Sequence, residues 1–252
     1  MKFLLGVTTY NRNKYLLQLI NTFFKFKSNN NWTLLIIDDN PKSKIGKVIN
    51  KFNYASKKVE VVYIKNKKNM GVHFSTNIII NYFKNGNFDF GFKCDDDIFF
   101  KKKNWCIKYY LDSKVHSYPH LTYYNSDWKP KVHSVLKEPL VSYSPANRSL
   151  GCFWTFNNDV VNKVGFFDSK NFGKRGLGHI DFSVRCCREG FNNENTFFQP
   201  KNAEDYIGMQ QRDGYIESMP WKDVAAENTD DIIKFKLSLI NDKKRNYIGF
   251  KI

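Results

Sequence analysis

Four short runs of buried-strand character divide the first hundred residues, and helical stretches separate them. "FLLGVTTY" (3–10) and "WTLLIIDDNP" (32–41) carry apolar residues at consecutive positions rather than at alternate ones, and "VEVVYIK" (59–65) and "FDFGFKCDDD" (88–97) follow as a third and a fourth strand. Such strands suit a sheet covered on both faces. Between the first two, "NRNKYLLQLINTFFKFK" carries Leu16, Leu19, Ile20, Phe23 and Phe24 at helical spacing. "SKIGKVINKF" reads as a weaker helix, and "STNIIINYFKNG" (75–86) as a third, with Ser75 as its N-cap and Gly86 as its stop. Strand–helix alternation predicts a mostly parallel sheet flanked by helices on both sides. Ligands of such sheets bind beyond the carboxyl ends of the strands. Asp38, Asp39, Asn69 and the run Asp95, Asp96, Asp97 all fall just past those ends.

The acidic run is the most demanding of these. "GFKCDDDIFF" sets three consecutive carboxylates between apolar flanks, in a chain of net charge +16. A solvated charge run or a capping cluster would account for them. So would a hard divalent cation, Mn²⁺ or Mg²⁺, which relieves their repulsion and bridges them to phosphates. The position at a strand end favours the cation.

Composition narrows the partners. The 252 residues are 42% hydrophobic and 17% aromatic, enough for a full core. The basic residues are scattered, as in "NKKN", "KKKN" and "NDKKRN", without an arginine-rich arm or finger spacing, so no dedicated nucleic-acid partner is expected. The positive field instead suits a phosphorylated ligand. Five cysteines without CxxC spacing indicate reduced thiols. "MKFLLGV" is too short for a signal or a span and no transmembrane segment is seen, which gives the expectation of a soluble, cytoplasmic protein.

Beyond residue 100 the pattern changes. "NWCIKYYLDSK" (104–114) is helical, whereas 115–150 holds short strand-like pieces such as "HLTYY" and "PLVSYS". "GCFWTFNNDVVNKVGFFD" reads as a strand, then a short helix stopped by Gly165. "GKRGLG" (173–178) is a glycine-rich loop with two cations, Lys174 and Arg175, and "HIDFSVRCCREG" is a helix ended by Gly190. A last helix, "DDIIKFKLSLI" (230–240), begins on acids that complement its dipole.

Taken in order, "VTTYNR", "LLIIDDNP", "NMGVHFSTN" and "CDDDIFF" resemble the four nucleotide-site motifs of GT-A glycosyltransferases of the family 2 type. "GCFWTFNNDVVNKVGFFDSKNFG…HIDFSVRCCREGF" resembles that family's acceptor-side block. The resemblance implies a Rossmann-like GT-A fold in one continuous domain, with a nucleotide-sugar half (1–110) and an acceptor half with a C-terminal extension (111–252). It implies transfer of a sugar from a nucleotide diphosphate sugar, a UDP-sugar above others, to a hydroxyl of a glycan, protein or small molecule. By motif position, Thr8 and Tyr10 line the base, and Asp39 or Asp38 contacts it. Asn69 and Asn77 are the polar positions of the third motif. Asp95 and Asp96 contact the nucleotide, and Asp95 and Asp97 hold Mn²⁺ or Mg²⁺. Two other activities remain open. A sugar-nucleotide nucleotidyltransferase pairs a similar sheet with acidic ligands, although "GVTTYNRNKY" lacks its glycine-rich phosphate loop. A non-catalytic glycan or polyanion binder on the same fold is the other.

The sequence departs from the family where an acidic pair normally supplies the base that deprotonates the acceptor. Those positions hold Gly178 and His179. Three readings follow: His179, whose imidazole titrates near neutrality, is the base; Asp181, one turn into the same helix, is the base; or the enzyme retains configuration and uses no such base. Lys174 and Arg175 are candidates for attracting a dianionic donor. Phe153, Trp154 and Trp128 are candidates for stacking on sugar rings, against core packing as the plainer role.

Overall fold

The computed structural model describes residues 1–54, 57–124, 135–145, 151–193, 196–210 and 229–251. Trp128 lies outside them. The central sheet takes its strands in the order β3 (Val59–Lys65), β2 (Asn31–Asp38), β1 (Lys2–Thr9), β4 (Phe90–Asp95) and β8 (Phe153–Phe156). The first four are parallel, and β8 runs antiparallel to β4.

Strands β1 and β2 feed both faces, as their apolar runs require. Phe3, Leu5 and Val7 of β1 and Leu34 and Ile36 of β2 point to one side, against Leu16, Leu19, Ile20 and Phe23 of α1 (Asn13–Phe26) and Trp105 and Tyr109 of α4 (Trp105–Val115). Leu4, Leu35 and Ile37 point to the other side. There they meet Ile79, Ile80 and Phe83 of α3 (Val72–Asn85), Val160 and Val161 of α5 (Asn158–Lys163), and Phe182 and Cys186 of α7 (Gly178–Arg188). Burial of each large side chain contributes about 1.5–3 kcal/mol, so both layers hold the sheet. The close approach of α3 needs Gly6: a Cβ there would lie 2.2 Å from Ile79 Cγ2.

Smaller elements complete the fold: the short helices α2 (Gly46–Ile49) and α6 (Ser169–Phe172), the antiparallel pair β5 (Ile98–Phe100) and β10 (Ile207–Met209), and the three-stranded sheet β6 (Val135–Lys137), β7 (Leu140–Pro145) and β9 (Thr196–Pro200). The last helix, α8 (Asp230–Asn241), packs on α7, and the chain after it is tied back to the body. Arg188 Nη1 donates to Asp242 O at 2.8 Å, and Phe166 N donates to Ile248 O at 3.0 Å. No helix among the described residues is long and apolar enough to cross a membrane.

One expected boundary is corrected. α3 starts at Val72, not at Ser75, because Gly71 with φ +89° makes the break. The Ser75 hydroxyl is fully buried inside the first turn and accepts a hydrogen bond from Asn66 Nδ2 at 3.1 Å.

Candidate functional site

The parallel register brings the carboxyl ends of three strands level: Thr9 lies beside Asp38, and Thr8 beside Asp95. The chain then turns through Asp96 and Asp97 directly into β5, whose pairing with β10 fixes the turn from outside, and Gln210 N donates to Asp97 O at 2.8 Å. All three carboxylates point inward, onto donors of the same chain. Thr8 Oγ1 donates to Asp95 Oδ1 at 2.9 Å, and Thr9 Oγ1 to Asp96 Oδ2 at 2.6 Å. Arg12 Nη1 donates to Asp97 Oδ2 at 2.9 Å, while its Nη2 meets Asp96 Oδ1 as an ion pair not aligned as a hydrogen bond. Lys93 Nζ pairs with Asp95 Oδ1 and donates to Gly151 O at 3.0 Å.

Burial pushes the Asp96 carboxyl up to about 7, against the pull of Arg12. Burial also raises Asp97, again opposed by Arg12. For Arg12, burial disfavours the charge, but the three aspartates outweigh it and hold the guanidinium firmly protonated. Among the described residues Asp97 Oδ1 is buried without a hydrogen-bond partner. An orphaned carboxylate oxygen of this kind fits a hard cation. Among the described residues no three His, Cys, Asp or Glu side chains form a ready metal cage. A cation here would therefore take at most a carboxylate or two, and complete its shell with phosphate and water, the usual arrangement for Mg²⁺.

The end of β2 organises the neighbouring loop. Asp38 accepts from Asn40 N at 3.0 Å and from the Tyr63 hydroxyl at 2.7 Å. Asp39 accepts from Met70 N at 2.8 Å, Gly71 N at 2.7 Å and Asn66 Nδ2 at 2.7 Å, so it pins the segment that leads into α3. Asn69 sits half-buried in that segment, and Tyr10 half-buried just beyond β1. The glycine-rich loop 173–178 closes on the same segment from the other side. Val72 N donates to Lys174 O at 2.9 Å, and His73 Nδ1 lies 2.8 Å from Gly173 O. Lys174 is exposed, whereas Arg175 carries a buried Nη1 without a hydrogen-bond partner among the described residues.

His179 follows that loop at the start of α7. Its Nδ1 lies 3.0 Å from Gly176 O, which as an acceptor places the ring proton on Nδ1. Gly151, whose carbonyl receives Lys93, abuts His179: a Cβ on Gly151 would stand 3.0 Å from that of His179. A chain of contacts thus runs from Asp95 through Lys93 and Gly151 to His179.

Other sequence-derived candidates stand elsewhere. Asn77 is fully buried, donating to Phe167 O at 2.9 Å and accepting from Phe167 N at 2.7 Å; it joins α3 to the second half of the chain and is not presented to a nucleotide. Asp181, 1% exposed, receives Arg185 Nε at 3.0 Å and Arg245 Nη1 at 2.7 Å, so both oxygens are engaged and it is not placed as a base. Phe153 and Trp154 are core residues, the latter against His120, Phe167 and Phe182. Sugar stacking is therefore closed to both.

Sequence reasoning passed over Thr9, Arg12, Asn66 and Lys93. Lys93 carried a signal. A lysine in a strand buried on both faces needs a buried partner, and Asp95, two residues on, shares its face.

The family model of glycosyl transferase family 2 matches residues 5–163. An uncharacterized glycosyltransferase, R363, of Acanthamoeba polyphaga mimivirus is 27% identical over 224 residues, covering 83% of this chain and 81% of the relative. Among solved structures, S. aureus TarS 1-349 superposes with a TM-score of 0.61 at 17% identity, over 95% of this chain and 69% of that one. GalNAc-T7 with UDP, GalNAc and Mn²⁺ gives 0.62 at 10% identity, over 83% of this chain and 44% of that one. The mannosyltransferase PcManGT of Pyrobaculum calidifontis, in complex with GDP-Man and Mn²⁺, gives 0.61 at 8% identity, over 94% and 68%. The fold is that of GT-A glycosyltransferases. With 159 consecutive positions matched by its family model, the chain belongs to glycosyl transferase family 2 and is a glycosyltransferase.

Proposed function

We propose that this glycosyltransferase moves a sugar from a UDP-sugar to a hydroxyl acceptor and does so with a divalent cation. The observation that carries the reading is the inward-facing triplet at the end of β4, with Asp97 Oδ1 buried and without a hydrogen-bond partner among the described residues. TarS has been crystallised with UDP and with UDP-GlcNAc, and GalNAc-T7 and PcManGT with Mn²⁺, which supports both the donor class and the cation. Since PcManGT holds GDP-Man, the choice of uridine is part of the proposal.

In this reading residues 1–110 form the nucleotide-sugar half, and 111–252 the acceptor half. Thr8, Tyr10, Asp38, Asp39 and Asn69 surround the base and ribose. Asp95 and Asp97 hold Mn²⁺ or Mg²⁺, which when bound supplies positive charge to the departing diphosphate. The residues of the chain do the positioning. Arg12 orients Asp97, the Asp39 clasp fixes the loop before α3, and the closed 173–178 loop keeps His179 near Gly151. His179 is the proposed base, taking the acceptor proton at Nε2 while Nδ1 stays on Gly176 O. Acceptors are hydroxyl-bearing glycans, proteins or small molecules.

The test is a thermal-shift panel of UDP, GDP and their sugars, with and without Mn²⁺. A rise in Tm with UDP that requires Mn²⁺ and vanishes in Asp97→Asn is expected. No response to any nucleotide diphosphate in the presence of Mn²⁺ would sink the reading.

A further inference from the structure

The triplet is not a bare acidic cluster. Two cations of the same chain lie among the three carboxylates: Arg12 against Asp96 and Asp97, and Lys93 against Asp95. Both are built in. Lys93 is a β4 residue only 2% exposed, with Gly151 O as second acceptor, and Arg12 follows β1 in the loop before α1. Thr8 and Thr9 add neutral donors from the adjacent strand. With all three carboxylates ionised, the two positive charges leave one net negative charge. Among the described residues two buried carboxylate oxygens have no hydrogen-bond partner: Asp96 Oδ1, which meets Arg12 as an ion pair, and Asp97 Oδ1.

We propose that Arg12 and Lys93 are resident counter-ions that keep the triplet's affinity for a divalent cation low until a nucleotide diphosphate arrives, so that metal and nucleotide bind as a pair. The inference rests on the donor-site reading above. A triplet carrying its full charge would capture Mn²⁺ unaided, because the attraction of a dication to three carboxylates in a partly buried site is large. With two cations already seated there, an incoming metal meets their repulsion as well. Diphosphate oxygens restore the missing negative charge and offer Arg12 and Lys93 new partners. The counter-ions also explain how the carboxylates tolerate one another inside the fold without metal. They act through Asp95, Asp96 and Asp97 and are positioning residues.

Mn²⁺ binding can be read without turnover, from the loss of the free-ion electron paramagnetic resonance signal on titrating protein into Mn²⁺. Wild type is expected to bind Mn²⁺ alone at least ~10-fold more weakly than in saturating UDP. Arg12→Gln and Lys93→Met should each bind Mn²⁺ alone roughly 10-fold more tightly than wild type, with less further gain from UDP. Arg12→Lys, which keeps the charge, should behave as wild type. A gain in metal affinity is the informative sign, since structural damage to the turn would only weaken binding. Unchanged or weaker Mn²⁺ binding in Arg12→Gln and Lys93→Met overturns the counter-ion role. If Arg12→Gln fails to unfold cooperatively, Lys93→Met decides alone. UDP without effect on Mn²⁺ affinity in wild type removes the donor reading and the pairing with it, a result separable from the variants' response to Mn²⁺ alone.

Discussion

Arg245 Nη1 reaches Asp181 Oδ1 at 2.7 Å, joining residues 64 positions apart and fastening the segment after α8 to the start of α7. The same guanidinium donates through Nη2 to Asp168 Oδ2 at 2.8 Å, and the other Asp181 oxygen receives Arg185 Nε. An acid so engaged is poorly placed to accept a proton from a substrate, and the ion pairs tie the C-terminal segment to the helix that presents His179.

Asp181→Asn is accordingly expected to act on stability before chemistry. Removing one member of a buried charge network costs about 3–5 kcal/mol, because the arginines are left facing a neutral amide. Chemical denaturation should show that loss. Turnover per folded molecule should fall less than ~10-fold, where a general base would cost ~100-fold or more. Unchanged stability with abolished transfer would restore Asp181 to the mechanism.

His179→Gln should give the opposite pattern. The side chain is half-buried and meets Gly176 O and Gly151. Glutamine keeps a polar group there but supplies no basic nitrogen. Transfer is expected to drop ~100-fold or more while UDP affinity, measured by calorimetry with Mn²⁺, stays within about threefold. Transfer at the wild-type rate would exclude His179 as the base.

What the sequence made legible follows the range of the interactions. Strands β1 and β2 declared themselves because burial on both faces leaves continuous apolar runs, and the acidic triplet because charge at a strand end needs a reason. Interactions between distant segments leave no local trace. Asp181 at the N-terminal end of a helix reads as an acid available to substrate until Arg245 is seen to reach it. Asn77 reads as a polar motif position until Phe167, 90 residues on, is found on both ends of its amide. The start of α3 was misread because a serine is a good cap by type, whereas here Gly71, through its positive φ, decides where the helix begins.

Asn77→Ala tests that structural assignment. Both hydrogen bonds go to buried backbone groups of Phe167, which would be left unpaired at about 1–3 kcal/mol each. A marked loss of Tm is expected, with UDP affinity of the folded protein within about threefold of wild type. Loss of UDP binding without loss of stability would return Asn77 to the nucleotide site.

Gly71→Ala probes the clasp between Asp39 and the loop before α3. Gly71 combines φ +89° with ψ 165°, a region almost confined to glycine, and a Cβ there would lie 2.3 Å from Lys174 Cα. The segment cannot accept the methyl group without moving off the 173–178 loop, and the Gly71 N–H to Asp39 moves with it. UDP affinity is expected to fall ~10-fold or more, with faster amide exchange across 66–72. Wild-type affinity would mean that the clasp does not shape the nucleotide site.

The pH dependence of stability can be assigned to a buried histidine by difference. His120 is fully buried, with Nδ1 3.1 Å from Thr155 O and Nε2 2.9 Å from Ser183 Oγ, and burial lowers it to about 4. The unfolded chain takes up a proton near pH 6.5, and the folded protein only near 4, so between those values the unfolded state binds more protons. Stability is therefore complete above about pH 6.5 and declines as pH falls toward 4, by about 1.4 kcal/mol per pH unit for each such group. His73, lowered to about 4 mainly by burial, adds the same sign, while Asp96, raised to about 7, acts in the opposite direction over this range. The total slope mixes these groups, but their contributions are shared by wild type and His120→Gln. The glutamine can donate to Thr155 O and accept from Ser183, so the variant should still fold. In denaturant titrations at pH 4.5, 5.5 and 6.5, the stability gap between the two proteins should shrink as pH falls, because only wild type loses the His120 contribution. A gap independent of pH would show that His120 titrates alike in the folded and unfolded chains.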